Sequence, residues 1–316
     1  MGELDLDRVR GYVEARREEH HIPALAVAVV SAGEILLADG FGVANLEWTA
    51  QATSDTAFQL ASATKLLTAT LLMLLVESGE VRLGASVKEY LTEAPESWAR
   101  ISVRHLASHT SGIPDGVGEV ESVEGAVTAA ARLPLEYEPG SRVRYGLVDY
   151  AVLTRVLEIA TSTPFQQLLQ LRLLDPLGMS STRFDNAEEL GDQPVRVSDV
   201  VPRRASVYNW DGKAQRGYAF LFPRWTYSAG GLYSSAGDLA RWAAALDGGD
   251  LLSRDSQREM LSRQALTDGT EGPFGVGWIV DEHSGRRVAG HSGGPALADI
   301  VRFPEEHLTV VVLTNQ

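Results

Sequence analysis

Short apolar runs with strand character occur at both ends of this chain, and they constrain the fold more than any other feature. Ala24 to Ser31 (ALAVAVVS) is rich in valine, and the run 34–41 returns after Ala32 and Gly33, which predicts a hairpin. Further strand-like runs near the C-terminus, separated by HSG, GGP and PEEH turns, cover 274–281, 287–292, Ala298–Phe303 and Leu308–Thr314. Antiparallel strands from both ends can therefore form one sheet.

The middle of the chain has helical periodicity, with apolar residues spaced three and four apart. A further helix is expected over 4–20, where Pro23 follows and ends it. The helices predicted in the middle cover 62–78, Val123–Ala131, 148–160, 164–174 and 236–246. Residues 186–216, with scattered Pro, Asp and Arg, show no clear period and predict a loop over the surface or over a cleft.

These patterns predict an α/β (α+β) fold in two parts. An antiparallel β-sheet built from both chain ends and flanked by helices is expected from residues 1–60 and 247–316. A mostly helical domain, residues 61–246, is inserted between them and carries the helix at 62–78 at the interface. A chain of 316 residues with 44% hydrophobic content can bury the core that this arrangement needs.

Composition excludes several classes of function. The formal net charge of −14, without a long Lys/Arg run, argues against nucleic acid and anionic membranes as partners. The chain has no cysteine, which excludes disulfides, thiolate metal sites and cysteine nucleophiles. Its start is charged and lacks the apolar core of a signal peptide, which predicts a cytoplasmic protein. The most apolar run, 66–76, is shorter than the roughly 20 residues of a membrane span, and the oligomeric state stays open.

Two serines lie in patterns typical of nucleophiles. The first pattern is GHSGG, residues 290–294, which fits G-x-S-x-G and would make Ser292 the nucleophile on a strand-to-helix turn. Its context fails, because Pro295 follows and the next residues, ALADIVRF, have strand character. Asp299 and His307 follow in the order of a triad, but too little chain remains to supply the helix and strands that would bring them back to the serine.

The second pattern is ASATK, residues 61–65, which fits S-x-x-K and has the right context. Ser62 and Lys65 lie in the first turn of the predicted helix 62–78, which Gly79 caps, and residues three apart share one helix face. A buried lysine with a lowered pKa can activate a serine, and the helix N-terminus offers N–H donors to an oxyanion. The alternative is a helix cap and a surface lysine, but LLTATLLMLLV after Lys65 places that lysine in apolar surroundings.

Four segments, in order, resemble the serine β-lactamase and penicillin-binding-protein superfamily. They are FQLASATKLLTATLLMLLVESGEVRL (58–83), ISVRHLASHTSGIPD (101–115), PLGMSSTRF (176–184) and YSAGGLYSSAGDLARW (227–242). The likeness covers nearly the full chain and is to the branch that holds class C β-lactamases, D-aminopeptidases and family VIII carboxylesterases. Four ordered segments are more specific than any single motif, and the implied fold is β-lactamase/transpeptidase-like.

The resemblance implies a set of catalytic residues. The nucleophile falls on Ser62 and its partner lysine on Lys65. The second motif of the family, Y-x-N, falls on YGL at 145–147, where Tyr145 would relay a proton as a tyrosinate or a hydrogen-bonded phenol. The backbone N–H groups of Ser62 and Gly294 would form the oxyanion hole.

The resemblance also implies substrate-binding residues, and here the chain departs from the lactamase pattern. The third motif, K-T-G in lactamases, falls on HSG at 291–293, which makes His291 and Gly293 substrate-binding residues. Leu147 replaces an asparagine that binds a substrate amide, and His291 replaces a lysine that helps hold a substrate carboxylate. Both changes weaken the case for β-lactams. Asp149 completes a Y-G-x-x-D pattern that is similar to the esterases and acyltransferases of the family.

One further pattern suggests a metal site and is set aside. His105 and His109 have the H-x-x-x-H spacing of zinc proteases, but the required glutamate is replaced by Leu106 and no third ligand is evident. A structural role is expected for both histidines. The sequence predicts neither a metal nor a cofactor.

The sequence therefore predicts a serine hydrolase that works through an acyl-enzyme. A carboxylesterase acting on small or medium acyl esters fits best, which makes a small-molecule ester or amide the expected partner. A D-amino-acid peptidase or weak β-lactamase is the first alternative. A non-catalytic binding or scaffold protein on the same fold is the second.

Overall fold

A computed structural model describes residues 5–189, 196–219, 222–294 and 297–316, and a seven-stranded antiparallel sheet forms the centre of this part of the chain. In spatial order its strands are β10 (Ile279–His283), β11 (Arg286–Gly293), β12 (Ala298–Phe303), β13 (Leu308–Thr314), β1 (Ala24–Ser31), β2 (Glu34–Asn45) and β3 (Ala50–Gln51). The predicted sheet from both chain ends is confirmed, because β13 pairs with β1 and places Val312 opposite Val27.

The other elements lie around and between these strands. The helices are α1 (Leu6–Glu19), α2 (Thr64–Glu77), α3 (Val103–Ala107), α4 (Val123–Ala131), α5 (Val148–Thr161), α6 (Phe165–Leu169), α7 (Tyr227–Gly230), α8 (Ala236–Gly248) and α9 (Arg254–Met260). Short strands pair as β4 (Phe58–Gln59) with β9 (Tyr233–Ser234), β5 (Glu188–Glu189) with β6 (Arg196–Val197), and β7 (Val207–Trp210) with β8 (Gln215–Tyr218). Across the described ranges, none of the helices has both the length and the apolarity to cross a membrane.

Strand β1 shows how the sequence builds two layers on one sheet. Successive side chains of a strand point to opposite faces. Its small residues Ala24, Ala26 and Ala28 belong to the main core. Leu25 and Val27 instead pack on the opposite face, where α1 supplies apolar side chains. A strand that is buried on both faces has a continuous apolar sequence.

Helix α2 crosses the main core. Every residue from 64 to 73 is buried, although the segment contains three threonines and a lysine. The threonine hydroxyls are hydrogen-bonded: Thr68 donates to the carbonyl of Ser228 (2.7 Å) and Thr70 to that of Leu66 (2.8 Å). Burying a polar group costs little when it keeps such a partner. The helix can therefore carry polar groups into the centre of the molecule.

Three predicted elements differ from the structure. Residues 207–216 of the loop expected over 186–216 belong to the β7–β8 hairpin, which turns at Gly212 with φ 90°, and the backbone of β5 pairs with β6. Residues 190–195 of the same prediction lie outside the described residues. The strand expected over 274–281 begins only at Ile279, because Gly277 has φ 75°, outside the strand region. The helix expected over 164–174 ends as α6 and continues as a π-helical turn, Gln170–Leu174.

The predicted division into domains is not tested by the fold alone. All strands of the large sheet lie within the predicted sheet segments, 1–60 and 247–316. Helix α8, however, packs against β1, β2 and β13, although the predicted boundary assigns most of it to the helical part. The boundaries stay a prediction, with α8 in contact with the sheet.

Candidate active site

Ser62 lies in a tight turn at the start of α2. The turn is a 3-10 helix, Ala61–Ala63, so Ser62 precedes the first α-helical turn in which it was predicted. Ala61 has φ 46°, a left-handed conformation that costs a non-glycine residue energy. The N–H of Leu60 donates to the carbonyl of Leu232 at 2.8 Å, which fixes the chain just before the turn. Ser62 itself is partly exposed.

Lys65 is fully buried directly behind this turn. Its Nζ donates to Tyr145 Oη at 2.7 Å and to the carbonyl oxygen of Ala229 at 2.8 Å. Nζ also lies 4.7 Å from the ring centroid of Tyr145 and 5.1 Å from that of Tyr150. Burial lowers the pKa of Lys65 to about 7, against the opposing charge of Asp115. The amine can therefore gain and lose a proton near neutral pH.

Tyr145 connects the serine with the lysine. Its hydroxyl accepts the hydrogen bond from Lys65, and the hydroxyl of Ser62 also acts on it. Burial raises the pKa of Tyr145, and the hydroxyl of Ser62 opposes that rise. Its phenol is consequently protonated in the resting site. The structure thus brings the three predicted catalytic side chains together at one site.

The loop that carries Tyr145 is fixed by a carboxylate from another segment. Asp115 Oδ1 accepts from the backbone N–H of Leu147 at 2.6 Å and of Val148 at 2.9 Å. The side chain of Leu147, predicted to contact substrate, is partly buried and packs against the main core. Asp115 was not identified as a site residue from the sequence, because nothing in the segment 101–115 indicates that it reaches the start of α5.

A buried histidine lies against Tyr145. The ring centroid of His109 is 4.6 Å from that of Tyr145, 5.4 Å from that of Tyr150 and 5.0 Å from that of Phe274. Burial lowers the pKa of His109 to about 3, and the charge of Lys65 adds to the effect. His109 is therefore neutral. Its counterpart in the H-x-x-x-H pattern, His105, accepts from a backbone N–H at the start of α3, which is a structural role.

Asp149 lies behind the site and away from the position expected of a substrate ligand. Its carboxylate is buried, accepts from the hydroxyl of Ser111, and lies 3.4 Å from His109 Nδ1. Burial raises the pKa of Asp149 well above its usual value. This placement does not agree with the predicted substrate contact, because the carboxylate of Asp149 is buried against Ser111 and His109.

Strand β11 forms the opposite wall, and its residues alternate. His291 and Gly293 are buried, whereas Ser292 between them is exposed. His291 Nδ1 lies 2.7 Å from the carbonyl oxygen of Ser292 and donates to it, which assigns the ring proton to Nδ1. Burial lowers the pKa of His291 to about 4, with a contribution from the charge of Lys65. The wall therefore presents a neutral ring, 5.8 Å from that of Tyr145.

Gly293 brings this wall close to the nucleophile turn. A Cβ on Gly293 would lie 2.0 Å from the carbonyl oxygen of Leu60 and 3.2 Å from Ala61 Cβ. Close packing against the nucleophile turn therefore requires a glycine at position 293, whether or not this residue also binds substrate. Gly294 is exposed, with open space where a Cβ would be, and its part in an oxyanion hole stays a prediction.

Ser292 has the surroundings expected when G-x-S-x-G arises by coincidence. It lies within an antiparallel pair, opposite Asp299, rather than on a strand-to-helix turn. His307 lies 3.6 Å from Asp247, in the turn between β12 and β13. The three residues that could have formed a triad by sequence order are therefore not assembled.

Comparison with known proteins places this arrangement in a family. A family model described as Beta-lactamase matches residues 9–316. The chain belongs to the beta-lactamase family. This match confirms the predicted superfamily. The protein is a serine hydrolase, as its relatives are.

Those relatives span several activities. Penicillin-binding protein 4 of Amycolatopsis lactamdurans is 29% identical, over 96% of this chain and 83% of its own length. Esterase EstB of Burkholderia gladioli is 29% identical, over 89% of this chain and 81% of its own. The solved octameric penicillin-binding protein homologue from Pyrococcus abyssi superposes with a TM-score of 0.81 at 25% identity, covering 99% of this chain and 74% of that one. The predicted fold is confirmed by this likeness.

Two of the segments that resemble the family, 176–184 and 227–242, contact each other in the structure. Asp238, from the segment 227–242, is buried and accepts from the N–H of Ser181 and the hydroxyl of Thr182, both at 2.8 Å. The segment 176–184 is thereby attached to the start of α8. The carbonyl of Ala229, which accepts from Lys65, belongs to the same stretch of chain.

Proposed function

We propose that this member of the beta-lactamase family is a carboxylesterase that works through an acyl-enzyme on small or medium acyl esters. The observation that carries the proposal is the hydrogen bond between the buried Lys65 and Tyr145, whose hydroxyl also interacts with that of Ser62. A serine hydroxyl needs an adjacent base, and a desolvated lysine whose pKa is about 7 is such a base at neutral pH.

Each group has a defined part in the reaction. Ser62 Oγ attacks the ester carbonyl carbon while its proton passes through Tyr145 Oη to Lys65 Nζ. The backbone N–H groups of Ser62 and Gly294 stabilise the oxyanion. Collapse of the tetrahedral intermediate breaks the bond to the alcohol, which receives the proton back from Lys65 through Tyr145. Water then attacks the acyl-enzyme by the same route and releases the acid.

The charges around the site favour an ester over a carboxylate-bearing lactam. His291 is neutral, so the third motif lacks the cation that lactamases present there. Asp115 is the charged group that acts on both Lys65 and Tyr145. A carboxylate at this place repels an anionic substrate, whereas a neutral ester is unaffected.

A second candidate follows from the same charge. An amide or peptide of a D-amino acid with a free ammonium group would be attracted by Asp115, so a D-amino-acid peptidase ranks second and a weak β-lactamase third. A non-catalytic scaffold would not need a buried lysine. Burial of that amine disfavours its charged form and costs folding free energy. A protein without catalytic activity would gain nothing from this cost.

A substrate panel tests the proposal. Initial rates would be measured on p-nitrophenyl butyrate, a D-alanine anilide and nitrocefin for the wild type, Ser62→Ala and the matched control Ser292→Ala. We expect the butyrate ester to be hydrolysed fastest, with the rate lost in Ser62→Ala and kept in Ser292→Ala. Faster turnover of the D-anilide or nitrocefin would favour the corresponding alternative. The cytoplasmic location stays a prediction, which cell fractionation would test.

A further inference from the structure

Asp115 lies at the site but takes no part in the catalytic steps proposed above. Its Oδ1 accepts from two consecutive backbone N–H groups, those of Leu147 and Val148, at 2.6 and 2.9 Å. These N–H groups are among the donors at the start of α5 that lack a partner within the helix. A carboxylate at this end is also favoured by the helix dipole.

The helix cannot cap itself at this end. Leu147 occupies the N-cap position of α5 and has no side-chain acceptor, so the cap comes from Asp115. Gly146 allows this approach, because a Cβ there would lie 2.7 Å from Asp115 Oδ1. Gly146 directly follows Tyr145. The cap therefore fixes the backbone beside the tyrosine that joins Ser62 to Lys65.

The charge of Asp115 acts across the site as well. It acts on Lys65, Tyr145 and His109 from the segment that precedes α4. The titratable groups that face Lys65 are Asp115, Tyr145 and Tyr150, with His109 and His291 within reach of its charge. Burial keeps the two histidines neutral and the two phenols protonated. Asp115 is thus the negatively charged group among these that acts on Lys65 and favours its ammonium form.

We propose that Asp115 is a positioning residue for the reaction, whose carboxylate holds the start of α5, and with it Tyr145, in place while its negative charge acts on Lys65. This inference rests on the proposed function, since it concerns the same pair of Tyr145 and Lys65. The two effects can be separated, because asparagine keeps the acceptor oxygen and loses the charge, whereas alanine loses both.

The experiment compares pH profiles of hydrolysis of a neutral ester, p-nitrophenyl butyrate, so that the substrate charge has no influence. For Asp115→Asn we expect the acid limb of kcat/KM to move to lower pH by about 0.5 unit or more, because Lys65 loses the charge that favours its ammonium form. For Asp115→Ala we expect the same shift and, in addition, a plateau kcat about tenfold below that of Asp115→Asn, because Tyr145 is no longer held.

Asp5 offers a matched control. Its Oδ1 caps α1 by accepting from the N–H of Arg8 at 3.0 Å, far in sequence from the site. Asp5→Asn and Asp5→Ala should keep the wild-type profile. An acid limb of Asp115→Asn that coincides with the wild type would overturn the electrostatic part, and equal plateaus for the two Asp115 variants would overturn the positioning part. Failure of the proposed function is distinguishable, because the wild type itself would then lack Ser62-dependent hydrolysis.

Discussion

Ser62 and Ser292 lie in similar short motifs of small residues but in contrasting surroundings. Ser62 is in a turn at the start of a buried helix and interacts with Tyr145, which accepts a hydrogen bond from Lys65. Ser292 is an exposed residue within an antiparallel strand pair. The two regions nevertheless contact each other, because Gly293 packs against Leu60. The two serines are thus distinguished by their surroundings in the fold, which the five letters GHSGG do not describe.

The largest effect that would sharpen this comparison is expected from Lys65→Met. Methionine fills a similar volume without the amine, so Ser62 would lose its base and become as unreactive as Ser292. We expect kcat/KM for the ester to fall by roughly 10³-fold. Lys213→Met, at an exposed lysine, is the matched control and should keep the wild-type rate. A rate within tenfold of the wild type in Lys65→Met would show that another base serves Ser62.

The contact between the two regions is tested next, by Gly293→Ala. The added Cβ would meet the carbonyl of Leu60 at 2.0 Å, so the strand or the nucleophile turn must shift. We expect the free energy of unfolding to fall by about 2 kcal/mol, in the range typical of overpacking, as measured by urea denaturation. Gly294→Ala has open space at the same atom and should change stability far less. Equal losses in both variants would mean that the close approach is not a constraint.

The smallest effect is expected in the pH dependence of activity, which distinguishes Lys65 from His291 on β11. Activity requires neutral Lys65, whose pKa is about 7, so kcat/KM should rise about tenfold per unit as pH increases toward 7 and then level off. His291, whose pKa is about 4, is already neutral in that range and should not contribute. His291→Gln should consequently leave the position of the acid limb unchanged. A limb that moves with this substitution would assign the titration to β11.

Much of the fold could be predicted because it depends on local patterns. Ala24–Ser31, Ala298–Phe303 and Leu308–Thr314 have the predicted bounds, since alternating or continuous apolar runs between turn residues mark strands directly. The hairpin 207–218 escaped prediction because its four-residue strands are too short and too polar for a period to be visible. The left-handed conformation of Ala61 also escaped prediction, because alanine does not itself favour a positive φ.

The residues of the site likewise fall into those that the sequence predicts and those that it does not. Ser62, Lys65 and Tyr145 were predicted from a motif and a family resemblance, and the structure places them together, while their catalytic roles stay a prediction. Asp115 was not identified, and Asp149 was predicted to bind substrate, because the deciding contacts are tertiary. One carboxylate reaches a helix start from a distant segment, and the other is enclosed by Ser111 and His109. Residue type and spacing do not encode such contacts.

The central claim is that Ser62, and not Ser292, is the nucleophile, and covalent labelling tests it most directly. The protein would be treated with a fluorophosphonate, digested, and analysed by mass spectrometry for the modified peptide, with Ser62→Ala and Ser292→Ala in parallel. We expect the label on the peptide that contains Ser62 in the wild type and in Ser292→Ala, and none in Ser62→Ala. A label on the peptide that contains Ser292, kept in Ser62→Ala, would contradict the claim.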